Sequence, residues 1–135
     1  MEDALTQKII GCAMKVHSAL GPGFLESVYE KALAYELHKS GLQVECQKPI
    51  HVLYDGVIVG DFAADMFIES RVIVENKAVQ AILAAHEAQL VHYLAATGVE
   101  IGLLLNFGAS SLQFKRKYRT YRKRQIRQDS QDLQD

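Results

Sequence analysis

The chain has 135 residues, enough for one domain that buries a core without disulfides or a structural metal. Hydrophobic residues make up 49% and charged residues 23%, which excludes wholesale disorder. The net charge of −1 conceals an asymmetry: residues 1–114 hold 7 Lys/Arg against 13 Asp/Glu, residues 115–127 hold 8 Lys/Arg and no acid, and residues 128–135 add 3 aspartates.

Leu5, Ile9, Ala13, Val16 and Leu20 recur at helical spacing, so residues 4–20 read as an amphipathic helix, stopped by Gly21-Pro22-Gly23. A second helix reads from Leu25 to Ser40, with Gly41 as its left-handed terminator. The period then changes. Val44 to Leu53 is β-rich, Asp55-Gly56 signals a hairpin, and Val57 to Ile68 continues as a strand. Glu69-Ser70-Arg71 turns into a third strand, Val72 to Lys77. Residues 82–97 form an alanine-rich third helix closed by Gly98. Ile101 to Phe107 is an apolar run of the kind covered on both faces of a sheet. Leu112 and Phe114 alternate with Gln113 and Lys115 in a last strand, and the pattern ends at Tyr118. The order α-α-β-β-β-α-β-β predicts an α/β fold with one mixed sheet flanked by helices. The domain is expected over 1–118, with 119–135 a flexible tail, basic then acidic.

Several classes are excluded or disfavoured. No apolar run approaches the ~18 residues of a membrane span, and MEDALTQK lacks the basic start and apolar core of a signal peptide. Cys12 and Cys46 form no CxxC pair, so they are expected as buried thiols in a cytoplasmic protein. Gly21-Pro22-Gly23 lacks the Lys-Ser/Thr of a P-loop, and there is no GxSxG elbow. The five histidines show no HxxxH pair, which argues against zinc.

Chemistry is sought where polar residues interrupt strands. Glu75 and Lys77 share one face of the third strand, about 6.6 Å apart. Asp65 lies on the neighbouring strand, and a suitable register would set it beside Glu75. Two carboxylates on adjacent strands suit a hard divalent cation, and a lysine beside them can orient water or neutralise phosphate charge. The same residues could simply cap strand ends. Glu26, in the first turn of the second helix, shares a stripe with Tyr29 and Leu33 and leans towards a partly apolar face; it could equally just complement the helix dipole. His86, Gln89 and Tyr93 share a face of the third helix and could hold a phosphate or order a water. The basic segment 115–127, with Tyr118 and Tyr121, could contact phosphates and stack on bases, or merely solvate the end.

These features coincide in a pattern. Asp65 followed by Glu75-Asn76-Lys77 resembles the D…(D/E)xK signature of the PD-(D/E)XK nuclease superfamily. Gly23-x-x-Glu26-x-x-Tyr29 resembles the motif of its GxxExxY branch, as do the flanking LGPGFLESVYEKAL, HEAQLVHYLAATG and GLLLNFG. Gln89-x-x-x-Tyr93 is similar to the QxxxY motif of RecB-like nucleases. The resemblance covers residues 5–118. It departs from the pattern at Ala64, where the signature has proline, and at Asn76, where an apolar residue is expected.

The resemblance implies a restriction-endonuclease-like core and a Mg²⁺- or Mn²⁺-dependent nuclease acting on DNA or RNA. It implies Asp65 and Glu75 as metal ligands with the Asn76 main-chain carbonyl as a third, and Glu26 as a further carboxylate at the site. Lys77 would position or activate the attacking water, and Gln89 and Tyr93 would support the site or contact the phosphate backbone. The alternatives are a catalytically silent nucleic-acid-binding module, or an accessory subunit that works with a partner protein or as a homodimer.

Overall fold

The computed structural model describes residues 2–119, with side chains from Ala4 onward. Eight elements follow the expected order: α1 (Glu2–Leu20), α2 (Glu26–Lys39), β1 (Val44–Tyr54), β2 (Val57–Ile68), β3 (Val72–Lys77), α3 (Ala84–Thr97), β4 (Ile101–Asn106) and β5 (Gln113–Tyr118). The five strands form one sheet in the order β1-β2-β3-β4-β5. Only β3 and β4 are parallel, because α3 crosses over between them; the other neighbours are antiparallel.

Glycine and turn chemistry set the ends of the elements. Gly41, at φ +83°, closes α2 with paired backbone bonds from Gly41 N–H to His38 O and from Leu42 N–H to Leu37 O. Asp55 and Gly56 both take positive φ, the conformation a tight hairpin between twisted strands requires.

The sheet is covered on both faces. Leu5, Ile9, Ala13 and Val16 of α1 and Tyr29, Leu33 and Leu37 of α2 pack on Met66, Val72, Val74, Leu103 and Leu105. Leu20, expected in that stripe, is instead 36% exposed. On the opposite face, Leu90, Tyr93 and Leu94 of α3 pack on Ile73 and Leu104. This two-sided cover explains the unbroken apolar runs of β3 and β4. Lys115 and Lys117 pair with Leu104 and Gly102 of β4.

The β1–β2 pair is much longer than the sheet it belongs to. It runs from Val44↔Ile68 to Tyr54↔Val57, whereas β2 pairs with β3 only from Met66 to Ile68. Residues 49–63 therefore leave the sheet as a two-stranded arm. Where the arm departs, alternation slips: Ala64 and Phe67, three residues apart, both join the α3-side cluster. Gln47, opposite Asp65 in the register, takes φ +55° at this twist. The arm displays Leu53, Tyr54, Val57, Ile58, Val59 and Phe62 as exposed apolar side chains.

Cys12 is half-buried, but Cys46 is exposed, contrary to the expectation of two buried thiols. It stands on β1, an edge strand of the sheet, with strand neighbours on one side only. No helix among the described residues is long and apolar enough to cross a membrane. Most of the tail expected to be flexible, residues 120–135, lies outside the described residues, as does Tyr121.

Candidate active site at the parting of two strands

Asp65 and Glu75 meet where β2 and β3 part. The ladder between these strands ends at Met66↔Val74, one step short of them. Their side chains replace it. Glu75 Oε2 accepts the Asp65 main-chain N–H at 2.9 Å, and Asp65 Oδ2 accepts the Asn76 main-chain N–H at 2.8 Å. Each carboxylate thus holds the other's strand with one oxygen, and its second oxygen makes no hydrogen bond among the described residues. The expected register is met, but by side-chain bridges and not by strand pairing.

Burial makes this pair electrostatically tense. Glu75 is 5% exposed. Desolvation, then the neighbouring Asp65 charge, push its pKa up to about 8, while the Asp65 N–H and Lys77 oppose the rise. Lys77 is half-buried and follows Glu75 on the same strand face.

Asn76 is 1% exposed and points to the other face. Its Nδ2 donates to Met66 Sδ at 3.3 Å, while its Oδ1 is without a partner. The packing problem that its sequence position raises is therefore real. Its main chain, gripped by Asp65, lies at the carboxylate pair.

The second helix delivers a carboxylate, but with a difference. Tyr29 is fully buried and stacked on Phe107 at 4.7 Å. Its hydroxyl donates to Gly21 O and accepts the Phe24 N–H. Gly23 sits at φ +121°, open to glycine and strained for other residues. The glycine and tyrosine of Gly23-x-x-Glu26-x-x-Tyr29 thus shape and pin the loop that starts α2. Glu26 is exposed there rather than leaning on an apolar face. One turn later, half-buried Glu30 is the helix carboxylate felt at the site. Burial raises its pKa first, with Asp65 and Glu26 adding to the rise and a hydrogen bond from Gln47 opposing it. Its own charge reaches Glu75. Glu30 was missed in the sequence, although its i+4 spacing from Glu26 was visible.

The third helix separates the three residues expected to act together. Tyr93 is 8% exposed and packs in one cluster with Ala64, the chain neighbour of Asp65, so it borders the site; its phenol is pushed up by burial and then by the Glu75 and Asp65 charges. Gln89 is exposed and lines a cleft with Tyr93. His86 turns back instead: its Nδ1 accepts the Leu83 N–H at 3.0 Å and so caps the helix start.

Of the basic segment, only residues 115–119 are described. Arg116 donates to Thr6 Oγ1, Lys117 pairs with Glu87 at 2.9 Å, and Arg119 pairs with Glu100 at 2.8 Å. Tyr118 packs against the α1–α2 side of the core. These residues knit β5 to the body, so Tyr118 is not an open stacking platform.

The donor set fits a hard divalent cation. Asp65 and Glu75 offer carboxylate oxygens at one place, and a cation there would offset the burial and the Asp65 charge that together raise the Glu75 pKa. No group of three or more His, Cys, Asp or Glu side chains among the described residues makes a ready metal cage. The pair therefore suits an ion that retains water, as Mg²⁺ does.

A comparison with curated proteins gave no match. Among solved structures, the crystal structure of SSO0001 is similar at a TM-score of 0.53 and 17% identity, over 74% of this chain and 52% of that one. The chain thus spans about half the length of that protein, and the likeness is one of fold. The model of the PD-(D/E)XK nuclease superfamily matches residues 3–117. With a five-stranded mixed sheet between helices and its signature residues at the parting of β2 and β3, the chain belongs to the PD-(D/E)XK nuclease superfamily.

Proposed function

We propose that this protein is a Mg²⁺- or Mn²⁺-dependent nuclease of the GxxExxY branch that hydrolyses phosphodiester bonds in DNA or RNA. The observation that carries this reading is the reciprocal Asp65–Glu75 bridge with Lys77 on the same face. Burying one carboxylate beside another is costly, and the two strand-holding bonds alone would not require two acids there. The catalytic domain is 1–118, and 119–135 is an appended tail.

Asp65, Glu75 and the Asn76 carbonyl would hold the cation, with Glu30 and, behind it, Glu26 adding negative charge. The bound cation would supply Lewis acidity towards the phosphodiester and lower the pKa of water. Lys77 would orient the attacking water and offset the negative charge that grows on the phosphoryl oxygens as water adds opposite the leaving oxygen. Tyr93 and Gln89 would support the site.

The test is cleavage of labelled single- and double-stranded DNA and RNA with Mg²⁺ or Mn²⁺. Wild type runs beside Asp65→Ala, Glu75→Ala and Lys77→Ala, with an EDTA control. Metal-dependent cleavage lost in all three variants is the expected result. Binding without cleavage, equal in all four proteins, would replace this reading by the silent binding module.

A further inference from the structure

A cleft of about 680 Å³ opens between α3 and the β1–β2 arm, walled by Val52, Phe62, Ala88, Gln89, His92 and Tyr93. Its size is that of a small-ligand pocket, ~300–1,000 Å³. No lysine, arginine or carboxylate lines it. A phosphate group therefore has no permanent counter-charge there, whereas an aromatic ring has matching walls. Phe62 is 47% exposed, and its ring lies 5.7 Å from that of Tyr93, tilted by 40°. Gln89 provides an amide that can both donate and accept.

Tyr93 ties the cleft to the carboxylate pair: it walls the cleft, and it packs in one cluster with Ala64, the chain neighbour of Asp65. A strand whose phosphate sits at Glu75 and Lys77 thus has an aromatic recess close by. A base in an intact duplex is stacked and paired inward and enters such a recess only at an unstacking and unpairing cost of a few kcal/mol; an unpaired base enters without it.

We infer that this cleft seats a nucleobase of an unpaired strand against Phe62 and Tyr93, so that the site acts on single-stranded nucleic acid or frayed ends. The inference deepens the nuclease reading and rests on it. Base stacking is sequence-tolerant, so it sets strandedness and not sequence.

The test reads affinity apart from cleavage. Full-length protein in EDTA is titrated into labelled single-stranded DNA, the matching RNA and the matching DNA duplex, followed by fluorescence anisotropy. Phe62→Ala should weaken both single strands roughly 5- to 100-fold, with little change for the duplex, and Phe62→Trp should restore the affinity. The DNA and RNA arms show which sugar is preferred. Unchanged single-strand affinity in Phe62→Ala overturns the inference. So does an equal loss for the duplex. Sedimentation separates a protein occupant: a wild-type dimer that Phe62→Ala dissociates, with single-strand affinity unchanged, assigns the cleft to a second copy. Hydrolysis of bis(p-nitrophenyl) phosphate by wild type with Mn²⁺ reports on the phosphodiester chemistry separately. If that hydrolysis fails while the strand affinities change as expected, the cleft stands and the catalytic reading falls.

Discussion

Glu75→Gln should stabilise the metal-free protein, and by more as the pH rises. In the folded chain, burial and Asp65 raise the Glu75 pKa from 4.5 to about 8. Below pH 4.5 the group is protonated in both folded and unfolded chains and has no effect on the slope. Between 4.5 and about 8 the unfolded chain releases the proton while the folded chain retains it, so stability falls as pH rises. At ~1.4 kcal/mol per pH unit the full loss is about 5 kcal/mol. Relaxation and water entry around the pair reduce this to a few kcal/mol, or about 10 °C in melting temperature. Glutamine keeps an oxygen that can accept the Asp65 N–H, so the 2.9 Å bridge is preserved while the charge is removed. The assay is thermal and urea melting of both proteins in EDTA at pH 5, 6, 7 and 8. The variant should match wild type near pH 5 and exceed it increasingly towards pH 8. Parallel stability curves across that range would refute the claim that Glu75 is held protonated by its surroundings.

Other consequences are open to similar measurement. Mg²⁺ or Mn²⁺ should raise the wild-type melting temperature more at pH 8 than at pH 6, because Glu75 must lose its proton to bind, and Asp65→Asn should abolish most of the effect; an equal shift at both pH values would argue against a site at this pair. Asn76→Leu removes an amide whose Oδ1 is buried without a partner and should stabilise by about 1 kcal/mol in urea titrations. Tyr29→Phe retains the stack on Phe107 but leaves Gly21 O and the Phe24 N–H unpaired, a loss of ~1–3 kcal/mol by the same titrations. Gly108→Ala places a methyl 2.4 Å from the Val79 backbone, which cannot swing aside, so its melting temperature should fall by more than that of any of these variants.

The motif residues and the structure answer different questions about the site. Asp65, Glu75 and Lys77 could be picked out because each places a charge within an apolar strand. Alternation alone put Glu75 and Lys77 on one face. That Asp65 bridges to Glu75 through side chain and backbone could not be read, because it depends on where the β2–β3 ladder stops. Glu30 was overlooked because its setting arises from contact with β1, through Gln47. His86 was grouped with Gln89 and Tyr93 by helical spacing, but a helix's first turn needs partners for its free N–H groups, and His86 supplies one. The basic run at 115–119 reads as a free cationic strip until Glu87, Glu100 and Thr6 approach it from other elements.

By itself, the sequence determined the element order, the turns at Asp55-Gly56 and Gly41, and the two-sided cover of β3 and β4. These follow from local conformational preference and from the period of apolar residues, both of which act between near neighbours in the chain. The length of the arm, the slip of alternation at Asp65, the raised pKa of Glu75 and the aromatic cleft were decided by tertiary structure alone. Each depends on desolvation or contact between residues far apart in sequence, and neither quantity exists until the sheet and its three helices have packed together.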